Sequence, residues 1–237
     1  MTELLEGERL VVAEAFVDHD GLTPAFWRDS RVAALGDSTQ KQVASMRDLL
    51  GITQNVALAT YVKSQQQRVS DCAKYDLAGW VGLIAASGVS IADHESAAAS
   101  MLAESQRCFP TIALAAEASR GDSHGLAKLS GVMALLDMYP ELDLEHANLA
   151  EFGSRQDVKS NLGTLFETDE IAGIMVDLNT LQRVQRLSPD ANVGKVLLEK
   201  GFTSSFAVVS AGPTQLAKAL VTVGLSKVTV VEVHDRA

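Results

Sequence analysis

The sequence predicts an all-α protein of two helical lobes preceded by an N-terminal arm, and three observations carry that expectation. Of 237 residues, 47% are hydrophobic but only 5% aromatic, and Ala, Leu and Val are abundant, a balance that suits packed helices better than a sandwich or barrel. Glycines at 36, 51, 88, 121, 153, 201 and 224 cut the chain into helix-sized pieces. The stretch from Ser90 to Gly121, the most apolar and least charged part, reads as two Ala-rich helices broken at Phe109-Pro110. Pro110 has no N–H to donate, and it biases Phe109 away from helical geometry. A chain of this length can bury a sizeable core. The expected division is an arm over 1–22, an N-terminal lobe over 23–121 and a C-terminal lobe over 122–237.

Taken in order, residues 2–17 place apolar side chains at Leu4, Leu5, Val11, Val12, Ala15 and Phe16, a short helix suited to docking on a second copy of the chain. Asp18-His19-Asp20-Gly21 is a turn. Thr23-Pro24 supplies an N-cap followed by proline at the first helical position, opening a helix over 25–35 that Gly36 ends. Asp37 or Ser38 caps the next, in which Val43, Met46, Leu49 and Leu50 recur at helical spacing up to Gly51. Thr53 opens a helix running towards Lys74, with Lys63, Arg68 and Lys74 along it. The segment from Leu77 to Ala86 is nearly uncharged and reads as buried.

Ser90 is the expected cap of the central pair, with Asp93 favourably placed near the positive helix end and Gly121 closing the second member. Asp122 or Ser123 then caps a helix that ends at Tyr139-Pro140. An acidic segment follows, with helices over 144–152 and after Ser154. Helices are also expected over 171–187, from Ser188-Pro189 to Gly201, and from Pro213 to Gly224. Two runs stay open: Phe202 to Ala211 fits helix or strand, and KVTVVEV near the C-terminus alternates like a short strand, which would need a partner.

The net charge is −10, which argues against a generic basic nucleic-acid binder. Its distribution is uneven. Residues 1–37 hold 8 acids and 3 bases, 38–90 hold 3 and 5, 91–170 hold 14 and 5, and 171–237 hold 5 and 7. Cys72 and Cys108 show no metal-ligand spacing and read as free thiols of a reducing compartment, so a cytoplasmic protein is expected. No signal peptide is legible at the N-terminus, and no apolar run approaches a membrane span.

Enzyme chemistry finds little purchase. The motif HExxH, a Walker loop and GxGxxG are all missing, and Ser210 in VVSAG lacks the preceding glycine of a nucleophile elbow. Asp18-His19-Asp20 reads as a solvated turn, and His94 and His146 as surface imidazoles beside acids. The expectation is a protein that is not an enzyme and holds no cofactor or metal. The bases are more informative. Lys63, Arg68 and Lys74 spiral along one expected helix, Arg107 interrupts an apolar wall, and Arg183 and Arg186 share a helix face. Their plain reading is solvated helix surface; their functional reading is a groove that faces the phosphates of RNA and carries no sequence information.

The order of features resembles the nucleocapsid proteins of phleboviruses and tenuiviruses. The resemblance lies in FVDHDG (16–21), GDSTQKQVASMRDLLGITQN (36–55), ESQRCFPTIALAAE (104–117), RVQRLSPDANVGK (183–195) and AKALVTVGL (217–225). It implies a self-assembling viral protein of the host cytoplasm and virion that binds single-stranded RNA through Lys63, Arg68, Lys74, Arg107, Arg183 and Arg186. It also implies a homo-oligomer joined through residues 1–17. Since the family is basic and this chain acidic, the acids of 91–170 would have to face away from the groove. Two other classes fit the same residues. One is a bacterial signalling protein with a helical sensor and a STAS-like C-terminal module, whose strands would be GIMVDL, FAVV and KVTVVEV; the other is an acidic helical scaffold.

Overall fold

The computed structural model describes residues 6–21, 23–66, 68–121 and 125–237. The first five residues of the expected arm, and the expected cap at Asp122 or Ser123, lie outside them. The described residues form fifteen α-helices and one 3-10 segment, with no strand among them. The chain is all-α. It divides into two compact units, one of residues 1–72 with 77–104 and one of residues 73–76 with 105–237. The division therefore falls near 104, not at 121, because the second helix of the central pair is the core of the second unit.

In the first unit, α1 (Glu6–Asp18) meets α2 (Pro24–Arg28), α3 (Ser30–Ala33) and the start of α4 (Asp37–Thr53). Ala15, Phe26, Val32 and Val43 are buried together, with Val12 and Trp27 packed against them. From Glu6 onward the expected arm is a helix that packs on the first unit through Ala15 and Val12. Thr23 caps α2 as expected, its hydroxyl accepting from the Phe26 N–H. The single helix expected over 25–35 is split by Asp29, whose carboxylate accepts from the Arg31 N–H at 2.8 Å and starts α3. Gly36, with no capping side chain, precedes α4, which runs on through Gly51. Asn55 then caps α5 (Val56–Gln65) by accepting from the Leu58 N–H.

The helix expected to carry Lys63, Arg68 and Lys74 is not continuous. α5 stops at Gln65, and a 3-10 segment covers Val69–Lys74. Three-residue turns rotate side chains differently from α turns, so the three bases do not share one helical spiral. Beyond, α6 (Leu77–Ser87) buries Trp80 and Ile84 but leaves Leu77 exposed. α7 (His94–Cys108) is capped by Asp93, whose carboxylate accepts from the Ser96 N–H at 3.0 Å; the cap is three residues later than Ser90.

The second unit is built round α8 (Pro110–Arg120). Every residue from Thr111 to Ala118 is buried, the pattern of a helix surrounded on all sides. The break at Phe109-Pro110 is where the sequence placed it: Phe109 sits at φ −133°, ψ 61°, and Pro110 is the first residue of α8. α9 (Leu129–Met138), α12 (Thr168–Leu187) and α13 (Ala191–Glu199) pack on α8. Small residues let them approach. A Cβ on Gly194 of α13 would lie 2.5 Å from Leu114 Cδ1, so any larger residue there displaces that side chain. Shorter helices α10 (Leu149–Ser154) and α11 (Gln156–Leu165) lead into α12.

The C-terminal region corrects the strand expectation. α14 (Ser205–Val221) contains FAVV, and α15 (Lys227–Asp235) contains KVTVVEV. Valines at 228, 230, 231 and 233 fit period 2 and period 3.6 alike. Ser226 decides the matter locally by accepting from the Thr229 N–H at 3.1 Å, and Val230 and Val233, three apart, turn inward. With no strand to pair with, the helix is the form that satisfies the backbone from within. The three strands expected for a STAS-like module, GIMVDL, FAVV and KVTVVEV, are all helical. Gly212, at φ 72°, and Pro213 kink α14 so that its second half lies along α15.

Candidate nucleic-acid interface

The six predicted bases divide between the units. Lys63, half-buried on α5, and Arg68, exposed just after it, belong to the first. Lys74, Arg107, Arg183 and Arg186 belong to the second.

Within the second unit two of the four predicted cations, Lys74 and Arg186, contact distant parts of the chain. Lys74 Nζ pairs with Asp137 of α9, and the Lys74 carbonyl accepts from the Arg120 guanidinium. Arg120 also pairs with the buried Glu117, which has Lys195 Nζ 3.8 Å away. These contacts tie residues 73–76 to α8 and α9. Arg186 Nε donates to the Glu145 carbonyl at 3.1 Å and its Nη2 to that of Ala147 at 3.3 Å. It holds down the irregular segment before α10. Arg183 is exposed and donates to Thr180 Oγ1 at 2.9 Å on its own helix. Arg183 and Arg186 are both exposed, and Arg186 in addition ties down the chain before α10.

Arg107 has the setting nearest to a binding site. It is exposed at the end of α7 and lines a cavity of about 350 Å³ together with Cys108, Phe109, Thr111, Glu141 and Asp143. The N-terminus of α8 opens onto the same cavity, and no side chain caps it. The first turn of a helix presents N–H groups and the positive end of the dipole, which attract anions. Arg107 Nη2 lies 3.9 Å from Cys108 Sγ. Glu141 and Asp143 both oppose this field; the Asp143 carboxylate accepts from the Glu145 N–H at 2.9 Å and pairs with His146 Nδ1 at 2.6 Å. That contact holds the His146 imidazolium above its ordinary pKa.

A buried polar network that sequence reasoning missed shapes the cavity. Thr111 Oγ1 donates to Gln185 Oε1 and accepts from the Leu144 N–H. Gln182 Nε2 donates to the carbonyls of Leu144 and Ala147. Gln185 is fully buried, and its Nε2 has no hydrogen-bond partner among the described residues. The available signal was Gln182 and Gln185, two amides three residues apart on an otherwise apolar helix face.

The thiols differ. Burial pushes the Cys72 thiol up to about 12, which keeps it protonated and inert, whereas Cys108 is exposed. Among the described residues no group of three or more His, Cys, Asp or Glu side chains could hold a metal ion, and no helix is long and apolar enough to cross a membrane. Comparison with protein-family models, with curated proteins and with solved structures finds no match to this chain.

Proposed function

We propose that the chain is a non-enzymatic protein that binds single-stranded RNA through its phosphate backbone, with Arg107 and the N-terminus of α8 as the leading contact. The observation that carries the reading is the cavity in which an exposed guanidinium lies beside an uncapped helix N-terminus. Guanidinium groups and helical N–H groups both recognise phosphate without reading bases. Arg183 is a second outward cation of the same unit, and Lys63 and Arg68 are proposed contacts on the first. Lys74 and Arg186 leave the set because their side chains hold the fold together. Assembly of the nucleocapsid kind would run through the outer face of α1, where Leu10 and Val17 are 60% and 75% exposed, and the cytoplasm is the compartment this reading implies.

The acidic scaffold is the second reading, favoured by apolar side chains left outside on the last two helices, Phe206 at 81% and Val228 at 68% exposure. Fluorescence anisotropy with a labelled unstructured RNA separates the two. In the RNA reading, binding at low salt is measurable, and Arg107→Ala flattens the slope of log K against log salt by about 0.7. Binding undetectable at low salt would leave the scaffold standing.

A further inference from the structure

The kink at Gly212-Pro213 has a product unrelated to the bases. It lays the second half of α14 along α15, and between them runs an apolar cleft of about 590 Å³. Its walls are Pro213, Ala217 and Val221 on one side and Val230 and Val231 on the other. The volume falls inside the range of small-molecule sites, which are mostly apolar with a few polar groups that fix orientation. The polar groups here are unevenly placed. Lys227 lines the cleft at the first position of α15, where the helix dipole is positive, and His234 and Asp235 line it at the other end of the same helix, where the dipole is negative.

We propose that this cleft binds a medium-chain carboxylate, a fatty-acid-like amphiphile, with its head at Lys227 and its tail along the valines. An anionic head is attracted to Lys227 and the α15 N-terminus and repelled by Asp235, so the charges set one direction of entry. Lys227 to His234 spans seven residues, about 10 Å of helix. A saturated chain of that reach covers Val230 and Val231, and the apolar area it removes from water drives binding.

The probe is sodium decanoate below its micelle concentration, titrated calorimetrically into the full chain, with decanol as the uncharged control. Decanoate is expected to bind saturably at one site. Lys227→Gln should weaken decanoate roughly tenfold, the scale of a lost charge-assisted hydrogen bond, and leave decanol unchanged. Thr214→Trp, at an exposed residue of the cleft, should abolish both by filling it. If that variant melts early, Val231→Glu serves instead by setting a charge in the apolar wall that the tail would cover. Three results overturn the proposal: no saturable decanoate binding, binding that survives both cleft variants, or equal affinity of wild type and Lys227→Gln. So does a concentration-dependent mass in light scattering that Thr214→Trp removes while decanoate never binds, since a second copy would then be the occupant.

Discussion

Thr111 Oγ1 lies 3.2 Å from Gln185 Oε1 and 3.0 Å from the Leu144 nitrogen, so one hydroxyl joins the N-terminus of α8, the last turn of α12 and the irregular chain between α9 and α10. All three partners are buried. Thr111→Val keeps the shape but strands the Leu144 N–H and the Gln185 carbonyl. It should destabilise the second unit by about 2–3 kcal/mol in urea unfolding, while Thr111→Ser stays close to wild type. Equal unfolding midpoints for Thr111→Val and wild type would show that water satisfies these groups.

Gly194 and Leu114 set how closely α13 approaches α8. A methyl at 194 would stand 2.5 Å from Leu114 Cδ1, and Leu114 is buried, so its side chain must shift within a packed core. Gly194→Ala should therefore cost about 1–3 kcal/mol through overpacking, despite the better helix propensity of alanine. Leu114→Ala combined with Gly194→Ala should lose less than the sum of the two single changes. A double-mutant cycle with no coupling would place the strain elsewhere.

Two buried or half-buried carboxylates should give pH dependences of opposite sign. Asp29 accepts from His19 Nε2, from the Arg31 N–H and from the Arg31 guanidinium, and these donors hold its carboxyl far below the usual 3.8. Folding then favours the ionised form, so the stabilisation is complete above about pH 4 and fades as pH falls below it. Asp177 of α12 is 3% exposed and accepts from the Lys128 N–H, and burial raises its carboxyl above 3.8. Folding there favours the protonated form, so its ionisation weakens the fold as pH rises above that value. Melting curves from pH 3 to 7 should show the deficit of Asp29→Asn opening as pH rises, and Asp177→Asn gaining on wild type over the same range. Parallel curves for either variant would contradict the assignment.

Lys74 and Arg183 were indistinguishable as bases in the sequence but sit in different surroundings. Lys74→Ala breaks a half-buried pair with Asp137 and should cost about 1 kcal/mol, with no change in the salt dependence of RNA binding. Arg183→Ala should leave stability within about 0.5 kcal/mol and flatten the salt slope by about 0.7. The reverse pattern, with Lys74→Ala changing the slope, would restore Lys74 to the interface.

What the sequence determined by itself is what short-range backbone chemistry dictates. Thr23-Pro24 starts a helix, and Phe109-Pro110 breaks one, because proline's missing N–H and fixed φ act within a few residues. The burial of α8 was legible too, since a run of alanines and aliphatics leaves no polar face. Local signals were ambiguous at the C-terminus, where four valines fit both periods and the Ser226 cap settled the helix. Tertiary structure alone decided the rest. Lys74 meets Asp137 across 63 positions and Thr111 meets Gln185 across 74, distances over which no spacing rule operates. Whether an exposed arginine also clasps a distant carbonyl depends on which segment the fold brings beside it; that separates Arg183 from Arg186, three residues apart on one helix.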